Sequence, residues 1–148
     1  MKKLIILIFL ISISFIACNN LKEEDYKTFS YDENISLYGT SEDNQRNWNL
    51  SCDGLHCKIT YSVGTPLKIR YEKKVTLNSE EEKKNIVISL IKGIKKGKDF
   101  SGTQDYKPSN HLVLSNKKEY HGQTENEEFY KILTDLLGEN YSNIIQKY

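Results

Sequence analysis

Cys52, His56 and Cys57 are the residues whose types and spacing most suggest chemistry. Two thiols and an imidazole are zinc-ligand types, but a closed tetrahedral site needs a fourth donor, and none stands nearby. An even pair of cysteines in an exported chain reads instead as a disulfide. With only four residues between the cysteines the loop is short, so the bridge contributes about 2 kcal/mol or less. His111 and His121 flank a later turn and could face each other across it, as half of a metal site. With no cysteine or carboxylate evidently placed to complete it, both are read as surface or edge histidines, and no metal is expected. The carboxylates fall in runs, Glu80 to Glu82 and Glu125 to Glu128, where they serve helix starts rather than paired acid catalysis. Gly93 to Lys98 has a superficial likeness to a phosphate loop. It has, however, three residues between its glycines where a phosphate loop has four, Asp99 follows the lysine, and a helix precedes. A Gly-x-Ser-x-Gly elbow is lacking as well. No catalytic residue and no cofactor is expected.

The other reactive residue is Cys18. Lys2 and Lys3 precede an apolar run, Leu4 to Ala17, broken only by Ser12 and Ser14. So short a run with those flanks reads as a secretory signal, not as a membrane span. Its ending, Phe15-Ile16-Ala17-Cys18, resembles a bacterial lipobox. That resemblance covers residues 1–18 and implies a bacterial lipoprotein whose Cys18 is lipidated and becomes the mature N-terminus. Each buried methylene contributes about 0.8 kcal/mol, so the several chains of such a cysteine anchor the protein without spanning the bilayer. In a Gram-negative host, Asn19 after the cysteine favours the outer membrane over the inner one. An ordinary cleaved signal, with Cys18 free or disulfide-bonded, is the alternative.

Once Lys2 and Lys3 are removed, the 21 basic residues fall just below the 20 acidic ones. A chain so balanced offers no electrostatic footprint for nucleic acid. Its mature length suits one domain. Ten tyrosines suggest β structure with half-buried aromatic positions.

These elements must position the residues named above. Residues 19–30 are polar and aperiodic and read as a tether, leaving 31–148 as the domain. Tyr31 to Tyr38 suits a first strand ended by Gly39, and Ser41 to Asn47 a polar loop. Trp48, Leu50 and Cys52 alternate with polar residues, as do Cys57, Ile59, Tyr61 and Val63 after the turn Asp53 to His56. Pairing Cys52 with Cys57 also pairs Leu50 with Ile59 and Trp48 with Tyr61 on one face. After Gly64-Thr65-Pro66, Leu67, Ile69, Tyr71, Val75 and Leu77 alternate in turn. Pairing Val63 with Leu67 would set Tyr61 opposite Ile69 and complete a meander, with Lys73 the one misfit on its apolar side.

Ser79 to Glu82 is a capping box for a helix whose stripe is Ile86, Val87, Leu90, Ile91 and Ile94, ended by Gly97. Gly97 to Asn110 is the longest irregular segment. Leu55, in the Asp53 to His56 turn, and Phe100 and Tyr106 are apolar residues in polar surroundings and form a candidate interaction loop. His111 to Ser115 and Lys118 to His121 suit a short hairpin. Thr124 to Glu127 repeats the capping pattern before the stripe Phe129, Ile132, Leu133, Leu136 and Leu137, with Gly138 as C-cap. Tyr141, Ile144 and Ile145 suit a last helical turn.

The reading is an α+β fold, an antiparallel β-meander packed against two helices with a short second hairpin. Its expected role is that of a non-enzymatic, membrane-tethered binding protein of the cell envelope with a protein partner. The alternative is a small envelope inhibitor or immunity-type protein that blocks a hydrolase or toxin.

Overall fold

The computed structural model describes residues 20–37, 45–97 and 106–147. The signal segment with Cys18, and Phe100, lie outside them. The elements in chain order are β1 (Thr28–Leu37), β2 (Gln45–Asp53), β3 (His56–Val63), β4 (Lys68–Thr76), helix α1 (Glu80–Lys96), β5 (Tyr106–Leu114), β6 (Glu119–Gly122), and helices α2 (Glu127–Leu137) and α3 (Tyr141–Lys147). Meander and hairpin are halves of one antiparallel sheet, ordered β4-β3-β2-β1-β5-β6. The first strand joins them, pairing with β2 on one side and with β5 on the other.

The β2–β3 hairpin has the predicted register: Cys52 opposite Cys57, Leu50 opposite Ile59, Trp48 opposite Tyr61. All six side chains are buried on one face together with Phe29, Tyr31, Leu112 and Leu114. The stripes of the helices close over that face: Ile86, Val87, Leu90, Ile91 and Ile94 of α1, Phe129, Ile132, Leu133 and Leu137 of α2, and Ile144 of α3. Burial of this one contiguous apolar cluster is what holds the layers together.

Strand β4 departs from the expected register. A bulge at Arg70 lets Tyr71 face Tyr61, Lys73 face Ile59 and Val75 face Cys57, while Ile69 pairs with Ser62 and Val63 with Lys68. One extra residue reverses side-chain parity. Leu67 and Ile69 are therefore not core: they are 44% and 59% exposed. Lys73, the misfit, reaches across to donate to the Leu137 carbonyl at 2.5 Å, satisfying an orphan acceptor at the end of α2.

The domain also begins earlier than the polar reading of 19–30 suggests. Strand β1 starts at Thr28, and Tyr26 and Phe29 are buried. A short 3-10 turn, Glu23–Asp25, is held to the β5–β6 turn by Ser115 Oγ donating to the Glu24 carbonyl (2.7 Å) and Asn116 Nδ2 donating to Asp25 (3.0 Å). Lys83, only 1% exposed, reinforces this end. Its Nζ donates to the carbonyls of Lys27 (3.2 Å) and Gly54 (2.9 Å) and pairs with Glu80 at 3.0 Å. A buried ammonium is tolerated here because several acceptors replace water.

Helix α1 starts as predicted at Ser79, whose Oγ accepts from the Glu82 N–H, but the return bond from Glu82 goes to the Asn78 N–H at 2.6 Å. Helix α2 starts later than Thr124. Its N-cap is Asn126, fully buried, with Oδ1 accepting from the Phe129 N–H and Nδ2 donating to the Leu90 carbonyl of α1. Gly93 makes room for that cap, since a Cβ there would stand 1.7 Å from Asn126 Oδ1. Gly138 closes α2 in the left-handed region, φ 70°, as its sequence position implies. The tail forms the separate helix α3, a third helix beside the expected two. Among the described residues no helix is long and apolar enough to cross a membrane.

Candidate functional site

Cys52 and Cys57 form the disulfide on the buried face, with a Cα–Cα separation of 4.1 Å. Both thiols are consumed, so the cysteine–histidine metal alternative falls. His56 points to the other face and contacts Thr76 Oγ1 at 3.4 Å through Nδ1.

The candidate interaction residues do not come together. Leu55 is half-buried and packs against the core, and its carbonyl accepts from the Leu77 N–H. Tyr106 lies not in a loop but in β5, opposite Leu37. Leu55 is at the end of the sheet where β1 begins; Tyr106 is at the other. The strand rise separates these ends by roughly 30 Å.

At the Tyr106 end stands a feature the sequence reading placed indoors. Leu67 and Ile69 are the exposed large hydrophobics among the described residues, and Lys68 and Arg70 beside them are also exposed. The bulge that aims Tyr71, Lys73 and Val75 inward is what turns Ile69 outward.

On the face of the sheet opposite the helices, β5 and β6 bring the two histidines together. His111 is directly opposite His121, with ring centroids 4.2 Å apart and planes 13° from parallel. Glu119, two residues before His121 and so on the same face, places one oxygen 3.3 Å from Nε2 of each ring. The side chains of His111, Glu119 and His121 are 36%, 50% and 65% exposed. Here is the carboxylate that seemed to be missing. Its signal was in the sequence, for the hairpin register that pairs the histidines puts Glu119 diagonally across from His111.

Beneath the sheet lies a second polar cluster, which sequence reading missed entirely. Glu33 is fully buried. The Tyr31 hydroxyl and the Asn126 N–H (3.2 Å) donate to it, and Asn110 is within hydrogen-bonding reach. Burial pushes the Glu33 carboxyl up to about 7, against the lowering effect of these donors, and burial likewise raises the Tyr31 phenol. Enclosed in the core, this cluster joins β1, β5 and the N-terminus of α2.

Comparison with protein-family models, with curated proteins and with solved structures finds no match for the chain.

Proposed function

We propose that this chain is a lipid-tethered binding protein of the bacterial cell envelope, acting without catalysis and contacting a protein partner through the tip of the β3–β4 turn. The lipobox-like ending at Cys18 supports the tether. The observation that carries the binding role is the exposed pair Leu67 and Ile69, flanked by the cations Lys68 and Arg70. Exposed apolar side chains rimmed by charge are the usual anatomy of a recognition patch. The chain reaches the sheet at the Thr28 end of β1, and the tip lies at the opposite end. A tether at the first end holds the second away from the bilayer. The complementary partner surface is an apolar pocket with acidic groups at its rim.

Two experiments test the two halves of this reading. Cys18→Ala releases the protein into the soluble fraction; retention in the membrane refutes the anchor. A photo-crosslinking side chain at Ile69, irradiated in intact cells, yields a discrete protein adduct, while the same group at exposed Lys95 on α1 yields none. Equal adducts at both positions, or adducts to lipid alone, refute the tip as a protein contact.

A further inference from the structure

We propose that His111, Glu119 and His121 form a binding site for one divalent transition-metal ion of the Zn2+ type, solvent-accessible on the face of the sheet opposite the helices. This inference is independent of the tether and of the Leu67–Ile69 tip.

Backbone register comes first. A direct cross-strand pair holds two side chains about 5 Å apart at their Cβ atoms, and a residue two positions along the same strand joins them on the same face. His111, His121 and Glu119 occupy those three positions. Strand β5 is flanked on both sides, by β1 and β6, so the platform under His111 is fixed.

Donor geometry comes second. Zinc sits about 2.0–2.1 Å from imidazole nitrogen and 2.0–2.2 Å from carboxylate oxygen. Around a tetrahedral ion those bond lengths place neighbouring donors about 3.3–3.5 Å apart. Nε2 of each histidine lies 3.3 Å from the same Glu119 oxygen, and all three donor atoms lie within 4.8 Å of one another. Two edges of the ligand triangle are already at coordination length. The third closes with a small turn of exposed His121, a side chain with room to make it.

The competing account is a carboxylate accepting one N–H from each ring. Charge-assisted N–H···O bonds settle at about 2.7–2.9 Å. Both 3.3 Å contacts lie within hydrogen-bonding distance and also match the spacing of donors around an ion, so metal uptake is what separates the two accounts. Donor chemistry then selects the ion. Two imidazoles with one carboxylate favour Zn2+ and its transition-metal neighbours over Ca2+ or Mg2+, which take oxygen. Three protein ligands leave a fourth position for water or for a donor from a partner.

The test uses the untagged full chain in detergent micelles, stripped with a chelator and titrated with Zn2+ against a chromophoric competitor. One equivalent is taken up. His111→Ala and His121→Ala each weaken binding by about tenfold or more, Glu119→Gln weakens it less, and excess Mg2+ does not compete. Circular dichroism of each variant confirms the fold. As a measurement on the unmutated chain, Co2+ in place of Zn2+ gives the intense visible bands of a four-coordinate ion. Failure to draw Zn2+ from the competitor, uptake unchanged in the double histidine variant, or only the weak bands of six-coordinate Co2+ would each overturn the proposal.

Discussion

Two hairpins in this sheet solve the same geometric problem with opposite results. In β2–β3, Cys52 faces Cys57; in β5–β6, His111 faces His121. Each is a directly opposed pair of ligand-type side chains in an antiparallel hairpin. They differ in parity. The cysteines point to the face the helices cover and spend their reactivity on a covalent cross-link. The histidines point to the face opposite the helices, stay partly exposed, and have Glu119 beside them as the proposed third donor. Which face a pair occupies, rather than how it is paired, decides whether its chemistry is structural or available to a ligand.

Substitutions on the two faces sharpen that contrast. The largest expected effect is on the covered side. Leu90 is fully buried, and Leu90→Ala should cost about 2–5 kcal/mol in urea unfolding; a neutral result would mean that the helix does not seal this face.

Next comes Glu33, beneath the sheet. Its folded value, about 7, stands above the 4.5 of a free carboxyl. The folded state therefore holds the proton more tightly. The contribution of Glu33 is fully present below about pH 4.5 and is lost as pH rises through 7, by up to about 3 kcal/mol. Glu33→Gln, a mimic of the protonated form, should flatten stability between those pH values and exceed the parent above pH 7. Parallel pH curves for the two proteins would contradict the assignment.

Cys52→Ser should cost about 2 kcal/mol or less, because the closed loop is short. Thermal unfolding with and without reductant reads the same quantity in the parent, and a large loss would show that the bridge does more than close its loop. The smallest effect is on the opposite face. Without metal, His121→Ala should change stability by less than about 0.5 kcal/mol. A larger loss would make the histidine pair structural after all and erase the contrast.

Period-two alternation made the β2–β3 register legible, because each core residue there has an unambiguous polar neighbour. It failed at Arg70, since a bulge leaves no mark in a hydrophobic pattern. It failed also at Tyr26 and Phe29, two aromatics in an acidic stretch whose neighbours are distant in sequence: Lys83 over the Tyr26 ring, Leu114 opposite Phe29. The central place of β1 was beyond reach, for the pairing of Tyr31 with Leu112 has no local signature. Glu33 went unnoticed in the sequence because nothing nearby announces Asn126 as its partner. The helices were legible in their stripes and less so in their starts: Asn126 took the cap from Thr124 because its amide also reaches the Leu90 carbonyl. Of the candidate site, the two histidines and their facing were legible; the role of Glu119 needed the register carried one step further.

The position of β1 also gives the molecule a mechanical direction. A strand at the edge, such as β4 or β6, has a single ladder of hydrogen bonds to hold it when pulled. Strand β1 is flanked by β2 and β5 along its length. Tension arriving from the N-terminal side runs along this strand and loads both ladders in shear, many bonds at once. A domain held by the proposed tether at this end would resist drag, and the pull of the proposed partner, by sharing the load across the middle of its sheet.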